Sequence, residues 1–147
     1  MPANFKPIFP LTPYVKSLSL AAVSACTTRA PTATASLAAA NILELTPVST
    51  NGRRIDRIEV NAASSSITAT TAAQLVGIWV WDGTTAYLVD EIPVTAQAPS
   101  TTAAAFTLSR DYTTLVLPAA FKLFASTTVA TTASTTALVV TVFGGDY

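Results

Sequence analysis

Two turn dipeptides, each set between β-prone runs, restrict this chain more than any other local feature. Asp82-Gly83 separates "LVGIWVW" (Leu75–Trp81) from "AYLVDEIPV" (Ala86–Val94). Asn51-Gly52 precedes "RIDRIEVNA" (Arg54–Ala62). Glycine tolerates the positive φ that tight turns require, so an Asp-Gly or Asn-Gly step between aromatic and β-branched runs signals a turn between strands. No comparable helical period occurs. The nearest is "SLAAANILEL" (residues 36–45), which is short and stops at Pro47, so Ile42–Val48 is read as a strand.

The remaining runs have strand length. Val15–Ser24, Ala103–Arg110, Leu115–Leu117, Ala120–Ser126 and Ala137–Phe143 complete a set of eight or nine short strands at regular spacing. The expected fold is all-β, a β-sandwich or jelly-roll-like domain over residues 15–147. Residues 1–14 are expected to form an extended arm, because Pro2, Pro7, Pro10 and Pro13 forbid a helix. Phe5, Ile8, Phe9, Leu11 and Tyr14 make that arm too apolar to lie in water. They are candidate contact residues.

Two strands are apolar on both faces. Leu75, Trp79 and Trp81 oppose Val76, Ile78 and Val80; Val139 and Phe143 oppose Leu138, Val140 and Val142. A sandwich strand needs one apolar face, so these need a second cover from the arm, a loop or another subunit. Charged residues make up 11% of the chain, against roughly a quarter in ordinary soluble domains. Net charge is zero. Low charge and two-faced strands together imply a homo-oligomer. The Thr/Ala/Ser tracts "SSSITATTAA", "APSTTAAA" and "STTVATTASTT" read as strand ends and long loops packed against something, since threonine is β-prone and the charge typical of disorder is missing.

The catalytic inventory is thin. The chain has no histidine and one cysteine, which excludes His-based triads, an intramolecular disulfide and a thiolate metal cluster. Asp90 and Glu91 point to opposite faces of a strand, and Asp56 and Glu59, three apart, do the same. There is no phosphate-binding glycine loop. Asp82 is assigned to its own turn rather than to calcium. The chain is therefore expected not to be an enzyme and to carry no cofactor or metal. Nucleic acid and membrane are not expected partners: the one basic cluster, Arg53, Arg54 and Arg57, is interleaved with Asp56 and Glu59, a pattern for cross-strand salt bridges or a subunit contact. "LAAVSAC" ahead of Cys26 imitates a lipoprotein cleavage box, but the upstream prolines break the required apolar helix. Cys26 is read as a buried strand-end thiol.

Five stretches occur as an ordered set: "NGRRIDRIEV" (Asn51–Val60), "WDGTT" (Trp81–Thr85), "DEIPVTA" (Asp90–Ala96), "LVLPAAFKLFAST" (Leu115–Thr127) and "FGGDY" (Phe143–Tyr147). Over residues 50–147 the chain resembles small β-rich virion structural proteins of tailed phages and prophages. That resemblance implies a capsid decoration (cement) protein on the capsid surface, with the major capsid protein as partner and a trimer as its assembly. Alternatives are a tail, neck or fibre-base protein, or a carbohydrate-binding sandwich using Trp79, Trp81 or Tyr87 as a stacking platform.

Overall fold

A computed structural model describes residues 12–134 and 136–147. They form an all-β sandwich of β1 (Thr12–Leu20), β2 (Thr32–Ala33), β3 (Leu43–Thr46), β4 (Arg53–Ala62), β5 (Gln74–Trp81), β6 (Thr85–Val94), β7 (Thr107–Leu117), β8 (Lys122–Thr127) and β9 (Leu138–Asp146). Sheet A has the order β1-β9-β4-β7 and sheet B the order β2-β6-β5-β8-β3. All pairings are antiparallel. Leaving aside the two-residue β2, the chain crosses between sheets at nearly every connection. That is the wiring of an eight-stranded jelly roll.

The turn signals act differently from each other. Asp82-Gly83 closes the β5–β6 hairpin, with Gly83 at φ +110° and Trp81 opposite Ala86. The Asp82 carboxylate accepts from the Thr85 and Thr84 amides and the Thr84 hydroxyl, which holds its pKa below the ordinary value. Asn51-Gly52 instead lies on the crossover from β3 in sheet B to β4 in sheet A. Gly52 sits at φ +97°, where a Cβ would lie 2.8 Å from the Leu117 carbonyl oxygen.

Between the sheets lies the main core, in which Ile55, Ile58, Val60, Val140 and Val142 of sheet A meet Val76, Ile78, Ile92, Leu123 and Ala125 of sheet B. The second apolar face of β5 is covered by residues 21–42. Cys26, Leu37 and Ile42 from that segment pack with Trp79, Ala86 and Phe124 into a second, smaller core. Trp79 is only 1% exposed and donates its indole N–H to the Ser126 hydroxyl at 2.9 Å. Cys26 is buried there, and its amide donates to the Thr127 carbonyl. For β5, then, the second cover is a loop. The ambiguous segment around 36–45 resolves as a short 3-10 helix (Thr34–Ser36) followed by turns, with β3 limited to Leu43–Thr46.

Several strand bounds differ from expectation: β1 stops at Leu20 rather than Ser24, and β9 runs on to Asp146 rather than stopping at Phe143. Strand β1 begins at Thr12, so Thr12–Tyr14, read with the arm, belong to sheet A. The two strands expected at 103–117 are one strand, β7, bent where Tyr112–Thr114 stand opposite Asp56. The same irregularity corrects the face assignment of Asp56 and Glu59. It resets the two-residue alternation of β4, so Ile55 and Ile58 both face the core while Asp56 and Glu59 are both outside.

Gly144 marks the tightest point of sheet A, where a Cβ would meet the Arg54 carbonyl oxygen at 2.0 Å. Gly144→Ala should force strands β4 and β9 apart and cost at least about 2 kcal/mol. Trp79→Ala should cost about 3–5 kcal/mol by emptying the second core. Urea midpoints of the two variants measure both effects.

Candidate interaction surfaces

Of the expected contact residues, Phe5, Ile8, Phe9 and Leu11 lie outside the described residues. The other four fall at or near one corner of sheet A. Arg53 is 3% exposed. Its guanidinium makes a bidentate pair with Asp146 (2.6 and 3.1 Å) and donates to the Pro47 carbonyl at 3.0 Å. It also stacks 3.4 Å from the centroid of the Tyr14 ring. Arg53 is thereby committed inside the subunit, tying the start of β4 to the end of β9 and, through Tyr14, to the edge strand β1. Burial pushes the Tyr14 phenol above its ordinary pKa, with Arg53 opposing.

Arg54 and Arg57 point outward. They pair along their own strand, with Asp56 at 2.6 Å and with Glu59 at 3.1 Å, and Arg57 also lies over the Phe143 ring at 4.6 Å. Only Arg53, of the three, makes a cross-strand bridge. Each charge is matched locally, so the outer face of sheet A offers no basic track for phosphates.

One polar clamp was not anticipated. Asp90, on the inward side of β6, accepts from the Tyr112 hydroxyl at 2.7 Å and from Arg110 at 3.0 Å, both on β7. These bonds join sheet B to sheet A where the two edges face each other. Its neighbour Glu91 points the other way and pairs with Arg29 at 2.8 Å, as the alternation requires. Desolvation, reinforced by donation to the Asp90 carboxylate, raises the Tyr112 pKa strongly.

Strand register brings the loops 63–73, 95–106 and 128–137 to one end of the sandwich: Asn61 faces Thr107, Ala62 faces Leu138, Gln74 faces Val94 and Val76 faces Thr127. None of the three loops contains Asp, Glu, Lys or Arg. Backbone bonds lace them together, including Ala63 to Ala137 (2.8 Å), Ser65 to Ala133 (3.0 Å) and Thr71 with Gln97, and Thr131 donates to Val23, just past β1 (2.8 Å). The Gln97 side-chain amide donates to the Ala104 carbonyl. Ile67 is 69% exposed on this end, beside a groove of about 410 Å³ between Ser64–Ile67 and Pro99–Ala105. Asp82, Arg53, Asp146 and Lys122 sit at the opposite end, where β1 also begins. The described residues thus form one neutral pole and one charged pole.

A second groove, of about 330 Å³, lies on the outer face of sheet B between Cys26, Trp79 and the Arg29–Glu91 pair. The Cys26 thiol is buried, and among the described residues its polar contact is the Thr28 carbonyl at 3.6 Å, with no base placed to activate it. Among the described residues no group of three or more Cys, Asp or Glu side chains is placed to hold a metal ion, and no helix is long and apolar enough to cross a membrane.

Comparison of the chain with protein-family models, with curated proteins and with solved structures finds no match in any of the three.

Two outcomes follow from the clamps. Asp146→Ala leaves the Arg53 guanidinium buried without its carboxylate and should cost about 2–4 kcal/mol, more than Arg53→Met, which removes the charge as well. Both phenols are raised in the folded state, so their contribution is full below the ordinary tyrosine value near 10 and is lost as pH rises above it, when the unfolded chain ionises first. Tyr112→Phe should therefore flatten the fall in stability measured by urea unfolding between pH 9 and 11 (values set by that reference, about 10).

Proposed function

We propose that this chain is a non-enzymatic structural subunit of a phage virion, a capsid decoration protein that binds and stabilises the assembled shell through contacts with the major capsid protein. The observation that carries the reading is the uncharged pole. A surface of Ser, Thr and Ala with exposed Ile67 and Val129 docks on a partner without stripping water from ions, and the laced loops lose little freedom on binding. The resemblance of residues 50–147 to phage virion proteins supplies the class. The jelly-roll wiring is compatible with it, though jelly rolls serve viral capsids, lectins and cupins alike.

Strand β1 starts at the charged pole, with Thr12 opposite Asp146, at the end away from the neutral loops. A subunit holding one neighbour at each pole would clamp a lattice. The carbohydrate reading is disfavoured by the placement of Trp79, which is enclosed in the second core with its indole N–H already used. Trp81 packs against Phe124 and donates to Thr34.

Mixing the purified protein with undecorated shells tests the proposal. Saturable binding to shells but not to free capsid subunits is expected, with affinity changing less than about threefold between about 0.05 and 0.5 M salt because no ion pairs form at the neutral pole. Ile67→Asp should abolish binding while leaving the circular dichroism spectrum unchanged. Deleting residues 1–11, which spares β1, should weaken binding of a still-folded domain. Binding that collapses with salt, or that ignores Ile67→Asp, contradicts the neutral-pole contact.

A further inference from the structure

The sandwich has four sheet edges, and three are guarded. Strand β3 spans four residues and is interrupted between Glu44 and Thr46; β2 covers only Thr85 and Ala86, and beyond it the edge is β6 itself, bulged at Val89 and carrying Asp90, Glu91 and Pro93. Strand β7 is long, but it is bent at Tyr112–Thr114 and carries Arg110 and Asp111. Short length, bulges and charges are the devices that keep an edge from pairing with another chain. Strand β1 is neither short nor bulged, and its guards are limited to Pro13 at the very start and the single charge of Lys16. It pairs with β9 in unbroken register from Thr12–Asp146 to Leu20–Leu138. Among the described residues no strand pairs with its remaining side. Six of its nine residues are exposed, Val15 by 61%.

We propose that β1 is the pairing edge for a second copy of this chain, antiparallel and across a two-fold axis, joining two four-stranded sheets into one of eight strands. A β1-to-β7 contact, which would build a ring, meets the bend and charges of β7. A β1-to-β1 contact needs only the regular strand. Charge selects its register. Centring the axis on Lys16 would set two ammonium groups directly opposite one another, which is unfavourable. Centring it on Ser17 places Lys16 opposite Leu18 of the partner subunit, and Val15 opposite the partner's Ser19, with matching faces throughout. On the outer face this extends the half-buried strip of Val139, Thr141 and Phe143 across both copies. The contact is isologous, so it gives an even-numbered assembly rather than the trimer that the resemblance implies. It concerns the protein alone and does not depend on any shell.

The test is a cysteine scan of the full chain combined with sedimentation equilibrium. On a two-fold axis the Ser17 Cα atoms of two antiparallel strands lie about 4.5–5.5 Å apart, within disulfide range. Ser17→Cys should therefore convert to a disulfide-linked dimer under mild oxidation. Ser19→Cys, and Ser109→Cys on the β7 edge, should stay largely monomeric on reducing-agent-free gels, as should the natural chain with its buried Cys26. Ser17→Lys should raise the dimer dissociation constant at least about tenfold, since it sets like charges face to face. Should Ser17→Lys fail to fold, the disulfide comparison alone decides. A monomer or a trimer by sedimentation, or Ser17→Cys cross-linking no faster than Ser109→Cys, overturns the proposal.

Discussion

Strand β5 has no face that tolerates water, and the rest of the structure is arranged around that fact. Val76 and Ile78 meet sheet A on one side, while Trp79 fills the other. Covering Trp79 takes residues 21–42, which pass over sheet B and touch its edge only at β2, so that Cys26, Leu37 and Ile42 share a core with the indole. The ring itself fits because Gly77 has no side chain: a Cβ there would lie 2.8 Å from the Ser126 hydroxyl and 3.0 Å from the indole nitrogen. One hydrogen bond, Trp79 to Ser126, then fixes the ring's orientation in a site where an unpaired N–H would be costly. Sheet B ends up with protein on both faces. Sheet A does not.

The few charges are distributed to the same effect. Arg53 with Asp146 closes one end of sheet A, and Asp90 with Arg110 and Tyr112 joins the two sheets at an edge. Charge is used here to fix strand positions in a chain with little of it. What remains at the other end is Thr, Ser and Ala, solvated by hydroxyls and backbone.

The strands were legible in the sequence because their apolar alternation and turn dipeptides are local signals. β4, β5 and β6 could be read nearly to the residue, and so could the two apolar faces of β5, whereas β9 runs three residues past the expected end at Phe143. The bend in β7 and the reset of β4 were not legible. Both depend on a cross-strand mismatch, Tyr112–Thr114 against Asp56, which neither strand shows alone. Arg53 was legible as part of a basic cluster, but its burial was not, since Asp146 lies 93 residues away and meets it only through the β4–β9 register. The charge-free tracts were visible one by one. Their convergence on a single end required the topology, because three separate connections must start and finish at the same pole.

The proposed role as a lattice-bound subunit rests on the neutral pole and on the resemblance of residues 50–147. The most direct measurement is the copy number and position of this protein in purified virions, by quantitative mass spectrometry together with reconstruction of the particle. A decoration protein is expected in numbers comparable with the major capsid protein, with density over the outer shell and the neutral loops turned toward it. A handful of copies confined to the tail or neck, or absence from the particle, would contradict that role.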